Sequence, residues 1–284
     1  MLSGLRTILF ENTLRWPPLE GYTIKKDSIR RFFERMSQAG GNQYENLDLQ
    51  SDPPFVSIRH PGGGLSACRF GASSLTIEEK RTPFLTVDEF VGVVKTVLGG
   101  LKEDEVPSPF FLQQCRMQCL AQPSNVENSL DLLARRLARV YGAIDPFGRP
   151  PAFFGVRFRF PPVILEQQGE NPEATGQICD ETPTQQGGTD KPASPIEDRP
   201  IADLPVEKKG FVTVRFETHT EDITQVWMEV NASYPETDLP LSLKDTARIA
   251  ENIRETHVFL VDKSKRFLDQ FDNKSDNTEE QHGG

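Results

Sequence analysis

Five arginines carry the clearest potential for chemistry in this sequence, because their spacing could assemble a site for anions. Arg135, Arg136 and Arg139 are predicted on the solvent side of one helix, and Arg157 and Arg159 on the polar face of the next strand. If the two elements adjoin, the five guanidinium groups form a patch suited to phosphates or carboxylates. The alternative is a solvated face with scattered ion pairs, which contribute little.

Two histidines could act as bases. His257 falls near the middle of an apolar helical stripe, where a buried imidazole needs a partner and could serve as a base or a pH switch. A core histidine bonded to a backbone carbonyl is the commoner arrangement. His60 precedes Pro61 and three glycines, a segment similar to the oxyanion loop of esterases, but no Gly-x-Ser-x-Gly elbow accompanies it. We therefore interpret 61–64 as a turn between two strands.

Motifs for cofactors and metals are missing from the sequence. It has no Gly-x-Gly-x-x-Gly motif and no phosphate loop, and its four histidines are widely spaced. Cys115 and Cys119 share a predicted strand face with Met117, as core packing would give. We therefore predict no cofactor, no metal site and no catalytic residue among the recognised motifs.

Negative charge is concentrated in two segments of the chain. The formal net charge is −10, and residues 166–210 alone hold ten acidic and four basic residues together with six prolines. Residues 272–284 add four acidic residues and one basic residue. Such composition is typical of disorder, so we predict an acidic linker and an acidic tail. The remainder is close to neutral, and the overall charge gives no reason to expect a cationic partner.

Cysteine usage and hydropathy favour the cytoplasm. Cys115 and Cys119 would lie about 13 Å apart along a strand, too far for a disulfide. No apolar run approaches the roughly 20 residues of a membrane helix, and the first ten residues do not resemble a signal peptide. We expect a protein of a reducing compartment without membrane contact.

The elements that carry these residues predict an α+β fold. Residues 1–165 alternate strands and helices irregularly, with Thr86 and Glu89 forming a capping-box pair at one helix start. After the linker, residues 211–271 predict a β-hairpin and a long helix that complete the sheet. This order differs from a βαβ repeat, so we predict one antiparallel sheet covered on one side by helices, the last packed across it. Whether the linker joins two domains or interrupts one sheet stays open.

The final helix is predicted from a capping-type start at Ser242 and Asp245. If unbroken, it is about 43 Å long. Phe259 projects opposite its apolar stripe, where it either contacts a partner or packs against the linker or a helix kink. The stripe itself comprises Leu243, Ala247, Ala250, Ile253, Leu260, Phe267 and Phe271.

Three motifs resemble a sporadically distributed family of uncharacterised bacterial proteins of similar length. They are a mid-chain helix with an aromatic residue before Glu-Phe (Phe84 to Phe90), an arginine-bearing strand (GVRFRF, 155–160), and a closing helix with later phenylalanines. The family has a Leu-His or similar pair in that helix, whereas Thr256 precedes His257 here. The resemblance spans most of the folded sequence. It implies an α+β fold and a bacterial origin, and it supplies no catalytic residue.

These observations favour a non-catalytic binding or adaptor protein that recruits a protein partner. The grounds are the missing catalytic motifs, the acidic linker and the off-stripe Phe259. A first alternative is nucleic-acid or nucleotide binding through the arginine patch, although no RNA- or DNA-binding signature accompanies it. A second alternative is an enzyme that uses His257 or His60 as its base.

Overall fold

Nine described strands form one antiparallel sheet in the computed structural model of the chain, in the order β2-β3-β4-β5-β1-β6-β9-β8-β7. This arrangement confirms the predicted α+β class. Strands β7 and β8, which flank the predicted linker in sequence, are neighbours in the sheet. The strands are β1 Ser3–Arg15, β2 Asn46–Asp48, β3 Phe55–Arg59, β4 Leu65–Gly71, β5 Ser74–Lys80, β6 Leu112–Gln122, β7 Gly155–Phe160, β8 Val212–Thr218 and β9 Val226–Pro235.

The structure describes residues 2–18, 24–38, 44–61, 63–80, 85–140, 151–161, 210–236 and 238–272. All of these stretches belong to one compact unit. The predicted linker, 166–210, and the predicted tail, 272–284, lie outside the described residues except for Gly210 and Asp272. Cys179 and His282 lie outside them as well.

Every described helix packs on the same face of the sheet, which we name the covered face; the opposite side is the open face. Aromatic contacts tie helix to strand there: Phe90 stacks on Phe10 at 5.1 Å, and Phe267 stacks on Phe216 at 5.8 Å between ring centroids. Within the described residues, no helix combines the length and the apolar character that crossing a membrane requires. The helices are α1 Lys26–Gln38, α2 Val87–Gly100, the π-helix π1 Asp131–Leu137, α3 Thr246–Val258, the π-helix π2 Phe259–Ser264, and α4 Lys265–Asp272.

Helix α2 begins as the sequence predicts. The hydroxyl of Thr86 accepts a hydrogen bond from the backbone N–H of Glu89 at 3.2 Å, and the Glu89 carboxylate accepts from the Thr86 N–H at 2.8 Å. This capping box satisfies two backbone donors that the first turn leaves without helical partners. It fixes the start of the helix and turns its apolar stripe toward the sheet.

The last helical run extends from residue 246 to residue 272, so it begins later than the start predicted at Ser242. The predicted cap is not formed, because the Ser242 hydroxyl accepts from the Lys244 N–H ahead of the helix and Asp245 makes no side-chain capping bond.

The buried face of this last helical run also differs from the predicted stripe. Ala247 is exposed, whereas Ile249 is buried, and Phe267 and Phe271 are only half-buried. For the two phenylalanines the reason is π2, where hydrogen bonds from i to i+5 widen the helix and shift the buried positions that follow it. Ala247 precedes π2, and it is exposed because α3 turns Ile249, Ala250 and Ile253 toward the core instead. Beyond residue 256 the buried positions recur every four residues, at Leu260, Ser264, Leu268 and Asp272.

A buried polar network holds α3 against the centre of the sheet. The Gln113 side-chain amide donates to Asn12 Oδ1 at 2.7 Å and to the Ile249 carbonyl at 3.0 Å. Its own oxygen accepts from Asn252 Nδ2 at 2.8 Å. Because unpaired buried amides are costly, these bonds specify how α3 sits on strands β1 and β6.

Candidate functional site

An apolar groove of about 340 Å³ opens between the β7 side of the sheet and the last helical run. We name it the β7 groove. Strands β7 and β8 supply one wall, and π2 with α4 supplies the other. Its lining residues are Phe158, Phe160, Val214, Phe216, Phe259, Lys263, Ser264 and Phe267.

Strand alternation sends the β7 phenylalanines into this groove. Val156, Phe158 and Phe160 pair with covered-face residues of β8, so they share that face. The Phe158 ring meets Phe267 edge-on at 5.4 Å. Phe160, at the end of the strand, remains 42% exposed. The groove is therefore packed at its base and open at its rim.

Phe259, predicted to project away from the helical stripe, lies in the wall of the β7 groove. The ring centroids of Phe259 and Phe160 are 5.6 Å apart, and Lys263 Nζ lies 4.5 Å from the centroid of the Phe259 ring. Phe259 is the first residue of π2. The widened turn is what brings an off-stripe residue beside the sheet. The expected partner contact therefore stays a prediction, now with a defined groove around it.

Strand β7 is the last strand of the described sheet, and its residues Gly155, Arg157 and Arg159 are exposed. Thr218 N–H donates to the Phe154 carbonyl at 3.0 Å, which marks that pair as hydrogen-bonded across β7 and β8. By alternation, Val156, Phe158 and Phe160 also bond toward β8. The N–H and C=O groups of 155, 157 and 159 then point away from the sheet. Among the described residues, no strand pairs with this edge.

The five arginines predicted as one patch are divided by the sheet. Arg157 and Arg159 alternate with the groove phenylalanines and therefore lie on the open face. Arg135, Arg136 and Arg139 belong to π1 and the residues after it, which pack with α4 on the covered side. Strand β7 and π1 adjoin, but the strand pairing directs Arg157 and Arg159 to the face away from π1. Binding of anions by these arginines stays a prediction.

The structure also contradicts the predicted position of Arg136 on the solvent side of its helix. Its side chain is only 13% exposed and donates to the carbonyl oxygens of Asn125, Phe271 and Asp272 at 3.2 to 3.4 Å. It caps the end of α4, a role that long-range packing creates. Arg135, by contrast, is 60% exposed and pairs with Asp131 at 3.3 Å. Arg139 is exposed and has a positive φ of 53° just after π1.

Two open-face arginines lack carboxylate partners among the described residues. On the same face Arg116 pairs with Glu229 at 2.6 Å, and Arg215 pairs with Glu217. Arg159 instead lies 4.6 Å above the Phe211 ring. Arg157 faces Arg215 directly across the two strands. Like charges in this position repel, so the β7 edge carries positive charge that no carboxylate of the described residues pairs with.

The expected hydrogen bond from His257 to a backbone carbonyl is not formed within the described part of the chain. Its half-buried ring stacks on Phe10, with centroids 5.9 Å apart. Burial lowers the pKa of His257 below its ordinary value, and the nearby Asp88 carboxylate partly opposes this. Burial against the Phe10 ring therefore favours the neutral form of the imidazole.

His60 contacts a hydroxyl that sequence reasoning missed. Its Nε2 atom lies 2.5 Å from Ser66 Oγ, which is the contact of a base with a nucleophile. Ser66, however, is only 2% exposed on the covered face. A polar pair closing a hairpin explains the contact, since His60 N–H also donates to the Gly64 carbonyl at 2.8 Å. The predicted turn between two strands is confirmed by the pairing of β3 with β4. Ser66 pairs with Ile58 and reaches His60 diagonally, so only the register of this hairpin could have identified it.

The described ranges contain no group of three or more His, Cys, Asp or Glu side chains that could hold a metal ion. Cys68, Cys115 and Cys119 are buried free thiols, and burial raises their pKa values.

Comparisons with family models, curated proteins and solved structures found no match to this chain. The resemblance to the sporadic bacterial family therefore remains a prediction.

Proposed function

We propose that this protein is a binding or adaptor protein that recruits a protein partner through the β7 groove. The observation that carries the proposal is the position of Phe160. Its ring is 42% exposed at the groove rim, beside Phe259, and next to a sheet edge with which no other described strand pairs. Exposed aromatic rings at a concave apolar surface are typical of protein interaction sites.

The energetics of the groove suit a protein segment. Burying one phenylalanine side chain completely contributes about 1.5–3 kcal/mol, and Phe160 is already more than half covered. The rest of the affinity must come from neighbouring contacts, including the exposed backbone of β7. A polypeptide supplies apolar side chains and backbone donors together, which favours a protein partner over a small molecule.

The test is affinity capture by the full chain from a lysate of its own host, with quantification of each captured protein. Phe160→Asp places a charge at the groove rim and should abolish capture of the true partner. Leu239→Asp is the matched control, because Leu239 is 67% exposed and lies near the start of α3, away from the groove. Equal capture by both variants contradicts the proposal, provided that circular dichroism shows both to be folded.

A second candidate is binding of single-stranded nucleic acid to the open face. Arg157, Arg159 and Arg215 lie there with the rings of Phe211 and Trp227, and such interleaving suits phosphates and stacked bases. Binding of a labelled oligonucleotide that weakens steeply with salt, and is lost in Arg157→Ala, would support it. No binding at low salt would exclude it.

A further inference from the structure

We infer that the partner enters as an extended segment that adds a strand to β7, with apolar and acidic residues in alternation. This inference rests on the proposed function, because it specifies what occupies the β7 groove. Each part of it follows from a different feature of the same strand: its backbone, its two side-chain faces and its charge.

The backbone supplies the hydrogen bonds. Because Phe154 is hydrogen-bonded to Thr218, the alternate residues Gly155, Arg157 and Arg159 present their N–H and C=O groups outward. An exposed row of this kind is a template for another strand. Proteins that bind peptides by strand addition obtain affinity from such main-chain bonds and specificity from pockets for alternate side chains.

The side-chain faces determine the partner's pattern. A segment beside β7 directs every second side chain to the covered face, level with Val156, Phe158 and Phe160. That side holds the β7 groove, so those partner residues are apolar. The residues between them lie on the open face beside Arg157 and Arg159.

Charge determines which residues alternate with the apolar ones. Neither Arg157 nor Arg159 has a carboxylate partner among the described residues, and Arg157 is already opposed by Arg215. Glutamate or aspartate at alternate positions compensates this charge directly across the new strand pair.

The same charges disfavour a second copy of this chain as the occupant. Antiparallel pairing of two β7 strands brings Arg157 and Arg159 of each copy onto one face with those of the other. Like charges directly opposite each other in a sheet destabilise the pair. The occupant is therefore a segment of different sequence, with negative charge where this chain has positive charge.

The probe is a fluorescein-labelled peptide of about nine residues in which Glu alternates with Val and Leu. Fluorescence anisotropy should show saturable binding to the full chain. A peptide of the same composition with its apolar residues grouped loses the alternation, and one with Lys in place of Glu reverses the charge. Both should bind at least about tenfold more weakly.

A pair of variants at residue 157 separates the contribution of the backbone N–H to peptide affinity from that of the arginine side chain. Arg157→Ala removes the charge and keeps the outward N–H, and should weaken binding about three- to tenfold. Arg157→Pro also removes the N–H, which makes no bond to β8, so an edge strand tolerates it. It should weaken binding at least about tenfold beyond Arg157→Ala.

A second measurement leaves the protein unchanged, in case Arg157→Pro fails to fold. Two peptides carry N-methyl groups on alternate residues. In one peptide these groups block the backbone N–H donors that would face β7, and in the other they block the N–H donors that would face away from it. Only one of these two peptides should bind. Strand addition is overturned if both bind equally, or if sedimentation shows that a second copy occupies the edge. If capture still depends on Phe160, the proposed function survives that result.

Discussion

The ring of Phe259 packs against the ring of Phe160, with centroids 5.6 Å apart, and joins the last helical run to the outermost strand of the sheet. Phe259 reaches this position because π2 begins there and widens the helix. Local widening of this kind is frequent at functional sites. The contact lines the rim of a groove without filling it, which leaves room for another chain.

The two walls of the groove should differ in their effect on stability. Phe267 contacts Phe158, Phe216 and Phe271, so Phe267→Ala should lower the free energy of unfolding by about 2 kcal/mol. Phe160→Ala at the exposed rim should lower it by less than about 1 kcal/mol. Urea denaturation of the two variants tests this, and equal losses would show that Phe160 is a core residue.

Arg136 and Arg135 form a matched pair of neighbouring arginines. Arg136→Ala removes three hydrogen bonds to backbone carbonyls and should lower the free energy of unfolding by about 1–2 kcal/mol. Arg135→Ala removes an exposed ion pair with Asp131 and should change it by no more than about 0.5 kcal/mol. Thermal or urea unfolding measures both. A larger loss for Arg135→Ala contradicts the observed packing.

His257 should make the protein less stable in mild acid. Burial lowers its folded-state pKa below the ordinary 6.5, so the unfolded chain binds more protons as pH falls through 6.5. The stability that neutral His257 contributes is fully present above the pKa of the unfolded chain and is lost as the pH falls below it. An NMR titration should give a pKa below 6.5. The free energy of unfolding of His257→Gln should rise relative to that of wild type as the pH is lowered from about 7.5 to about 5.5. A difference between the two proteins that does not change with pH contradicts this prediction.

The network around Gln113 should show strong coupling. Gln113→Leu leaves the buried amide of Asn12 and the half-buried amide of Asn252 without their Gln113 contacts and should cost about 2–3 kcal/mol of unfolding free energy. Adding Asn12→Leu removes one of these stranded groups and should restore about 1 kcal/mol. A double-mutant cycle by chemical denaturation measures the coupling. Simple additivity of the two losses would indicate independent sites.

Periodicity predicted most of the sheet and the start of α2. Alternation places Val156, Phe158 and Phe160 on one face, and the capping box at Thr86 needs only local sequence. The edge position of β7 could not be predicted, because it depends on pairing with β8 across the long 166–210 segment. Strand pairing over such a distance leaves no local pattern.

The arginines illustrate a second limit of predicting structure from sequence periodicity. Helical periodicity placed Arg136 with Arg135 on a solvent face, whereas the structure turns it toward the end of α4. The cause is a tertiary partner that is remote in sequence, combined with the π-helical geometry of π1. Phe259 was predicted to project opposite the apolar stripe, but it packs beside Phe160, in the same groove wall as the stripe residue Phe267. Only π2, which begins at Phe259, explains this position.

Backbone hydrogen exchange at Arg157 tests the central claim most directly. In the free protein its outward N–H should exchange quickly, while the Phe158 N–H, which pairs with Val214, should exchange slowly. Saturation with the alternating acidic peptide should slow exchange at Arg157 at least about tenfold and leave Phe158 unchanged. Unchanged exchange at Arg157 with the peptide bound would contradict strand addition at β7.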